Sequence, residues 1–331
     1  MILPVDESSM ARAVAALRAG ACIGLPTETV YGLAGDGFNP QAVARIFEIK
    51  QRPTFDPLIL HVPDAAGLER VAADVPPLAL KLMARFWPGP LTLVLPRRPE
   101  VPDLVTSGMD TVAVRCPAHP VAQQVLRAFG GPLAAPSANP FGRLSPTTAE
   151  AVETELGNDL ALVLDGGACI RGIESTIIDC TGTRPVLLRH GAIAQEEIEE
   201  VTGPLELATA GEAIKAPGLL AHHYAPRTPL WLVEGRLKDR GPFDRDSALL
   251  VWHEAPAHAG PVAVLTPHQE PAEAASRLFA LLRELDGSGV RRIIAEAVPT
   301  AGLGRAIQDR LAKASAGRLV EREGVWVEEP R

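Results

Sequence analysis

Lys50 and Arg52 stand two residues apart in KQRPTFDPLILHV, residues 50–62. Pro53 stiffens the chain after them, and Pro57 leads into an apolar run that carries His61. Two cations on a stiff connection suit a polyphosphate clamp. Arg grips two oxygens at once, while Lys is a compact point charge. The same pair also fits a solvated helix end, where the dipole favours positive charge. His61 is open between a ligand contact and a satisfied core imidazole.

Four other segments could do chemistry. In GLPTETVYGLAGD, residues 24–36, Thr27, Thr29 and Tyr31 alternate, and a strand would set them on one face. That face reads either as a polar ligand surface or as a solvated strand face. Arg115 ends the apolar run TVAVR, at the strand end where α/β folds bind ligands, or paired there. PLAAPSANPFGRLSPTTAEAV, residues 132–152, offers small residues that admit a ligand close to the backbone. Ser137, Asn139, Arg143 and Ser145 add donors there. Pro146 and Thr147 open a helix whose first amides form an anion site, or simply a capped turn. In residues 172–193, Glu174 and Ser175 enter one strand and Arg189 leaves another. Arg189 serves an anion or pairs with an acid such as Asp179. No GxxxxGK[ST], GxGxxG, GxSxG or HExxH pattern occurs. A bound nucleotide would therefore be held by dispersed Lys, Arg, Ser and Thr.

These residues need a scaffold, and the patterning supplies one. Asn39-Pro40 is a helix start, and Val43, Ile46, Phe47 and Lys50 follow at helical spacing, so Lys50 closes that helix. Strands are expected at residues 21–25, 58–62, 91–95, 111–115, 161–164, 176–179 and 186–189, with helices at 78–86, 121–129 and 147–156. This is a mixed α/β domain over residues 1–201. Gly, Pro and Ala crowd residues 202–229, a linker or functional loop. Strands and helices then alternate over residues 230–331, as in a smaller doubly wound α/β domain with a parallel sheet.

At 331 residues the chain is long for one core. Its net charge of −8 excludes a whole-molecule basic field for wrapping nucleic acid. No apolar run reaches a membrane span of about 18 residues, and no leader is evident, so a cytoplasmic setting is expected. Cys22, Cys116, Cys169 and Cys180 lack metal spacing and read as small buried hydrophobes.

In sequence order, PTETVYGL, KQRP…PLILHV, PGPLTLVLP, VAVRCP, PSAN…SPT, GIESTI and LLRHG resemble the YrdC-like family, the L-threonylcarbamoyladenylate synthases. The resemblance covers about residues 8–200. HHYAPRTP and the α/β region after it resemble the long, two-domain form. The resemblance implies a twisted mixed sheet with flanking helices and a concave basic cavity. It implies that the carbamate of L-threonine and bicarbonate attacks the α-phosphate of ATP, with Mg2+ travelling with the nucleotide. Downstream threonylcarbamoyl transferase proteins would use the product on tRNA. By position, Lys50 and Arg52 would be catalytic. Thr29, His61, Arg115, Ala135 and Ser175 would meet L-threonine. Arg52, Asp56, Thr111, Ser137, Asn139, Ser145, Arg189 and Tyr224 would meet ATP, with Tyr224 as a lid. Asp56 departs from the Asn common in the family and needs a compensating cation. No metal ligand, membrane contact or stable direct nucleic-acid binding is expected. The alternative is an RNA-binding module using the same basic surface without adenylation.

Overall fold

The computed structural model describes residues 1–208, 215–220, 222–322 and 325–331, with only the backbone of Val325. Part of the expected linker, residues 209–214 and 221, lies outside the described residues. The chain divides into two units, residues 1–141 with 145–219, and residues 142–144 with 220–331.

The first unit begins β1 (Ile2–Pro4), α1 (Glu7–Arg18), β2 (Ile23–Leu25), β3 (Gly32–Asp36) and α2 (Pro40–Lys50). It continues through β4 (Ile59–His61), α3 (Ala65–Leu68), α4 (Pro77–Phe86), β5 (Leu91–Pro96), α5 (Asp103–Thr106), β6 (Thr111–Arg115) and α6 (Pro120–Phe129). It closes with β7 (Leu133–Ala134), α7 (Ala149–Leu156), β8 (Val163–Asp165), β9 (Thr176–Asp179), β10 (Val186–Arg189), α8 (Gln195–Thr202) and β11 (Glu206–Leu207). One mixed sheet results, ordered β1-β8-β2-β3-β7-β4-β6-β5-β9-β10-β11. α2 starts as its sequence dictates: Asn39 Oδ1 accepts from the amides of Gln41 at 3.0 Å and Ala42 at 3.3 Å. It stops at Gln51, whose φ of 51° turns the chain left-handed and leaves Lys50 on the last turn.

Register explains how distant residues meet. His61 of β4 lies opposite Arg115 of β6, and Arg115 lies opposite Thr92 of β5. Thr92 is level with Ile177 of β9, so Ser175 lies two residues away on the same face. Stepping two residues along each strand on that face gives Ile59, Ala113 and Val94. With Ile177 these form a small buried apolar patch, capped by Ala216. The opposite face carries Leu60, Val114, Leu93 and Ile178, which join the main core. The alternation thus gives one face to packing and leaves a polar row at the end of the other.

The second unit contains β12 (Leu230–Val233), β13 (Ser247–Val251), β14 (Val262–Val264), α9 (Pro271–Asp286), β15 (Arg292–Glu296), α10 (Gly304–Ala314), β16 (Gly317–Arg322) and β17 (Val325–Pro330). Its sheet runs β14-β13-β15-β12-β16-β17. It is parallel through β16, as expected of a doubly wound fold, and gains an antiparallel edge in β17. Among the described residues, no helix is long and apolar enough to cross a membrane. All four cysteines are buried and free.

Two expectations change. Residues 26–31 are the connection between antiparallel β2 and β3 rather than a strand. Pro26 interrupts the ladder, and the hydroxyls bond to each other and to nearby carbonyls instead. Pro146 and Thr147 do not open α7: Thr148 caps it, accepting from the Ala151 amide at 3.3 Å.

Candidate active site

Lys50 is buried, and its ammonium donates to the carbonyls of Ser137 and Asn139, both at 2.6 Å. The Lys50 carbonyl in turn accepts from the Phe141 amide at 2.8 Å. The end of α2 therefore fixes the PSAN loop by both its side chain and its backbone. Burial and then the nearby Arg52 charge push the Lys50 pKa well below the ordinary range, against Asp56 and Glu155. An amine keeps two N–H bonds in its neutral form, so both carbonyls stay served in either protonation state.

Arg52 folds back on its own loop. Its Nε donates to Asp56 O at 2.9 Å and its Nη2 to Pro57 O at 2.8 Å. Nη2 also lies 2.9 Å from Asp56 Oδ2, a buried ion pair. The N–H bonds aim at the carbonyls, so the carboxylate meets Arg52 as a charge rather than through an aligned hydrogen bond. Burial raises the Asp56 pKa, while Arg52, Lys50 and Arg189 oppose that rise in decreasing order. Burial wins, so the Asp56 pKa stays raised, with Arg52 the strongest of the three opposing cations.

Arg115 organises the second neighbourhood. Its Nη1 donates to Thr29 Oγ1 at 2.8 Å, its Nε to Gly89 O at 3.2 Å, and its Nη2 lies 2.6 Å from Glu28 Oε1. Proton positions around Thr29 follow. Thr27 Oγ1 donates to Val30 O at 2.6 Å, so in the 2.9 Å contact between the two threonine hydroxyls Thr29 donates. His61 is buried beside Arg115, and its Nδ1 has no hydrogen-bond partner among the described residues. Burial, then the Arg115 charge, lowers its pKa to about 3, so the imidazole is neutral at physiological pH. The Ala135 amide donates to Ile59 O at 3.1 Å, holding the backbone after β7 against β4.

Thr92 joins the two neighbourhoods. Its hydroxyl lies 2.7 Å from Ser175 Oγ. Arg189 grips the Ser175 carbonyl through Nε at 3.2 Å and Nη2 at 2.9 Å, and Pro217 O through Nη1 at 3.0 Å. Asp179, the acid that the sequence offers to Arg189, pairs with Lys215 at 2.7 Å. Ser145 donates to Glu174 Oε1 at 2.5 Å.

The structure therefore brings together His61, Arg115 and Ser175 through register, Thr29 through its hydrogen bond from Arg115, and Lys50, Arg52, Asp56 and Arg189 through charge. Ser137 and Asn139 attach through Lys50. Thr111 stands apart: it opens β6, four residues and roughly 13 Å from Arg115 at ~3.3 Å per residue. Tyr224 belongs to the second unit, where its buried ring lies 5.7 Å from Phe279 and beneath the Arg310 guanidinium at 5.0 Å. Arg143 is also in that unit, donating to Pro226 O at 3.1 Å. Glu28 and Thr92 are absent from the residues picked out in the sequence. Glu28 sits among the hydroxyls of PTETVYGL, and Thr92 is the one polar residue inside LTLVL.

A family model described as "Telomere recombination" matches residues 15–191, and one described as "Threonylcarbamoyl-AMP synthase, C-terminal domain" matches residues 193–316. The threonylcarbamoyl-AMP synthase of Pyrococcus abyssi is 40% identical, over 96% of this chain and 97% of its own length. That of Bacillus subtilis is also 40% identical, over 96% of each chain. The crystal structure of P. abyssi Sua5 complexed with L-threonine matches with a TM-score of 0.89 at 38% identity, covering 97% of this chain and all of that one. These likenesses run nearly the full length of each chain: the chain belongs to the threonylcarbamoyl-AMP synthase family.

Proposed function

We propose that this chain makes L-threonylcarbamoyl-AMP from L-threonine, bicarbonate and ATP. Threonine nitrogen and bicarbonate first form a carbamate, releasing water and a proton. A carbamate oxygen then attacks the α-phosphorus, the bond to the bridging oxygen of the β-phosphate breaks, and pyrophosphate leaves. Every reacting group is anionic, so the protein's task is positioning and charge stabilisation. The observation that carries the reading is the pairing within the first unit of a Lys50–Arg52–Arg189 group around Asp56 with the Arg115–Thr29 centre.

In this reading Arg115 and Thr29, with His61, Ala135 and Ser175, receive the amino acid. Lys50 and Arg52 steady the phosphates and the developing charge, and Arg189, Ser137, Asn139, Ser145, Thr111 and Asp56 bound the nucleotide. Magnesium enters with the triphosphate as part of the substrate. The described residues contain no group of three or more His, Cys, Asp or Glu placed to hold a metal ion. The product serves threonylcarbamoyl transfer to tRNA, in a reducing cytoplasm.

The test is pyrophosphate release from ATP and magnesium with labelled bicarbonate and single amino acids. Release should require both L-threonine and bicarbonate, with label in an adenylate product. Equal turnover without threonine would sink the assignment.

A further inference from the structure

Glu28 is buried with Arg115, each side chain 5% exposed, and the two charges touch at 2.6 Å. Yet neither Glu28 carboxylate oxygen has an aligned hydrogen-bond donor among the described residues. The backbone amides of Glu28 and Ala118 lie near enough to favour the charged form without completing it. Burial pulls the Glu28 pKa up, and Arg115 and the two amides together more than offset this, so the group is a carboxylate at neutral pH. A buried carboxylate with unfilled acceptor sites is costly, and its place beside a substrate-facing arginine calls for a reason.

The charge count supplies one. His61 is neutral, so the Arg115 neighbourhood holds one cation and one anion. A zwitterionic amino acid also holds one of each. Arg115 can take its α-carboxylate only if something else takes its α-ammonium, because an unpaired buried charge costs several kcal/mol. We propose that Glu28 is the counter-ion and hydrogen-bond acceptor for the α-amino group of the amino-acid substrate. This deepens the proposed function and rests on it.

The assignment also orients the next step. When bicarbonate converts the ammonium into a carbamate, nitrogen keeps one N–H and gains a carboxylate. Glu28 continues to accept from the N–H and repels the new carboxylate. Like-charge repulsion turns that carboxylate away from Glu28, and the charges of Lys50, Arg52 and Arg189 draw it toward the nucleotide phosphate. A group that both holds the nitrogen and rejects the nucleophile on its own side fixes which way the carbamate faces.

The discriminating measurement is binding of two ligands by the full-length chain. One is L-threonine. The other is its deamino analogue, 2,3-dihydroxybutanoate of matching configuration, which keeps the carboxylate and side-chain hydroxyl but replaces the ammonium with a hydroxyl. The native chain should prefer L-threonine by about tenfold to a hundredfold, the range of a hydrogen bond to a charged group. Glu28→Gln keeps size and removes the charge, and should abolish most of that preference by weakening L-threonine while leaving the analogue within about twofold. Glu28→Asp, which keeps the charge, should retain the preference, and it covers the case in which Glu28→Gln misfolds. If Glu28 merely props Arg115, Glu28→Gln weakens both ligands in parallel, and the proposal is overturned. Equal affinity of the native chain for the two ligands also overturns it. A native chain that neither binds L-threonine nor releases pyrophosphate with it overturns the functional reading beneath, a result distinct from an unchanged preference in an active enzyme.

Discussion

Removing Arg52 should cost the fold as well as the reaction, and the two costs separate. Arg52→Met leaves Asp56 fully buried, 0% exposed, without its 2.9 Å partner. Breaking a buried pair from one side costs about 3–5 kcal/mol. The escape route is protonation of Asp56. From an ordinary value near 4, holding it neutral at pH 7 costs about 4 kcal/mol, at ~1.4 kcal/mol per unit. The two limits agree, and Lys50 and Arg189 still act on Asp56 and trim the loss, so about 3 kcal/mol is expected. Arg52→Met with Asp56→Asn should recover roughly 2 kcal/mol of it, since no bare carboxylate remains. The pH sign is fixed. In Arg52→Met the folded Asp56 pKa is raised further, so the folded state binds the proton that the unfolded chain has lost. Stability therefore falls as pH rises above ~4, and the deficit shrinks by about 1.4 kcal/mol per unit on acidification once Asp56 protonates in the fold. Amide hydrogen exchange in α2 and β4 of the full chain reads this locally, free of the second unit's own unfolding. Equal protection loss in the single and double variants, or a deficit independent of pH, would refute the argument. Activity separates from this: if Arg52 steadies the phosphates as proposed, about a hundredfold loss should persist in the refolded double variant.

Three shorter expectations follow. His61, with a folded pKa near 3 against about 6.5 unfolded, refuses a proton that the unfolded chain accepts, so stability is lost as pH falls through 6.5 toward 3. The loss is about 2 kcal/mol between pH 6.5 and 5, with a smaller share from half-buried His119, and denaturant midpoints of His61→Asn should show a flatter slope. Arg115→Lys keeps the charge but cannot serve Gly89, Thr29 and Glu28 together, so calorimetry should show threonine affinity down about tenfold with ATP affinity unchanged. Tyr224→Ala empties a buried site against Phe279 and Arg310 and should destabilise the second unit by about 3 kcal/mol, seen as lost amide protection in α9 and α10. Tyr224→Phe should restore it.

Periodicity made the fold legible, and register kept much of the site hidden. Asn39-Pro40 announces α2, and the apolar spacing to Lys50 announces its end. The strand runs show two-residue alternation, but nothing in 59–61, 91–96, 111–115 or 176–179 says which strand neighbours which. Only the ladder puts His61, Arg115, Thr92 and Ser175 in one row. Thr92 was therefore invisible as a site residue. Glu28 escaped for another reason: PTETVYGL read as a strand puts Glu28 on the face opposite Thr27 and Thr29, whereas the real connection turns it onto Arg115. The fate of Asp56 also needed coordinates, because the compensating cation is Arg52 itself, four residues back.

The acidic balance of the chain and its fitness for a triphosphate are reconciled by what the cations hold. Lys50 donates to Ser137 and Asn139 carbonyls, Arg52 to Asp56 and Pro57, Arg115 to Gly89, and Arg189 to Ser175 and Pro217. A carbonyl fixes a cation without cancelling its charge, whereas a carboxylate does both. Four basic side chains are thus locked in place, and among the described residues Asp56 pairs with Arg52 and Glu28 with Arg115. The remaining positive field is short-ranged and buried, where screening is weak. It can serve a polyphosphate locally, while the net −8 of the whole chain gives no overall attraction for a nucleic-acid backbone. That division follows from acceptor chemistry alone, and it predicts that raising salt from 50 to 200 mM shifts ATP affinity far less than the 10³-fold or greater loss expected of a surface that neutralises six or more phosphates. A loss of that size would place the binding cations at the surface and undo the argument.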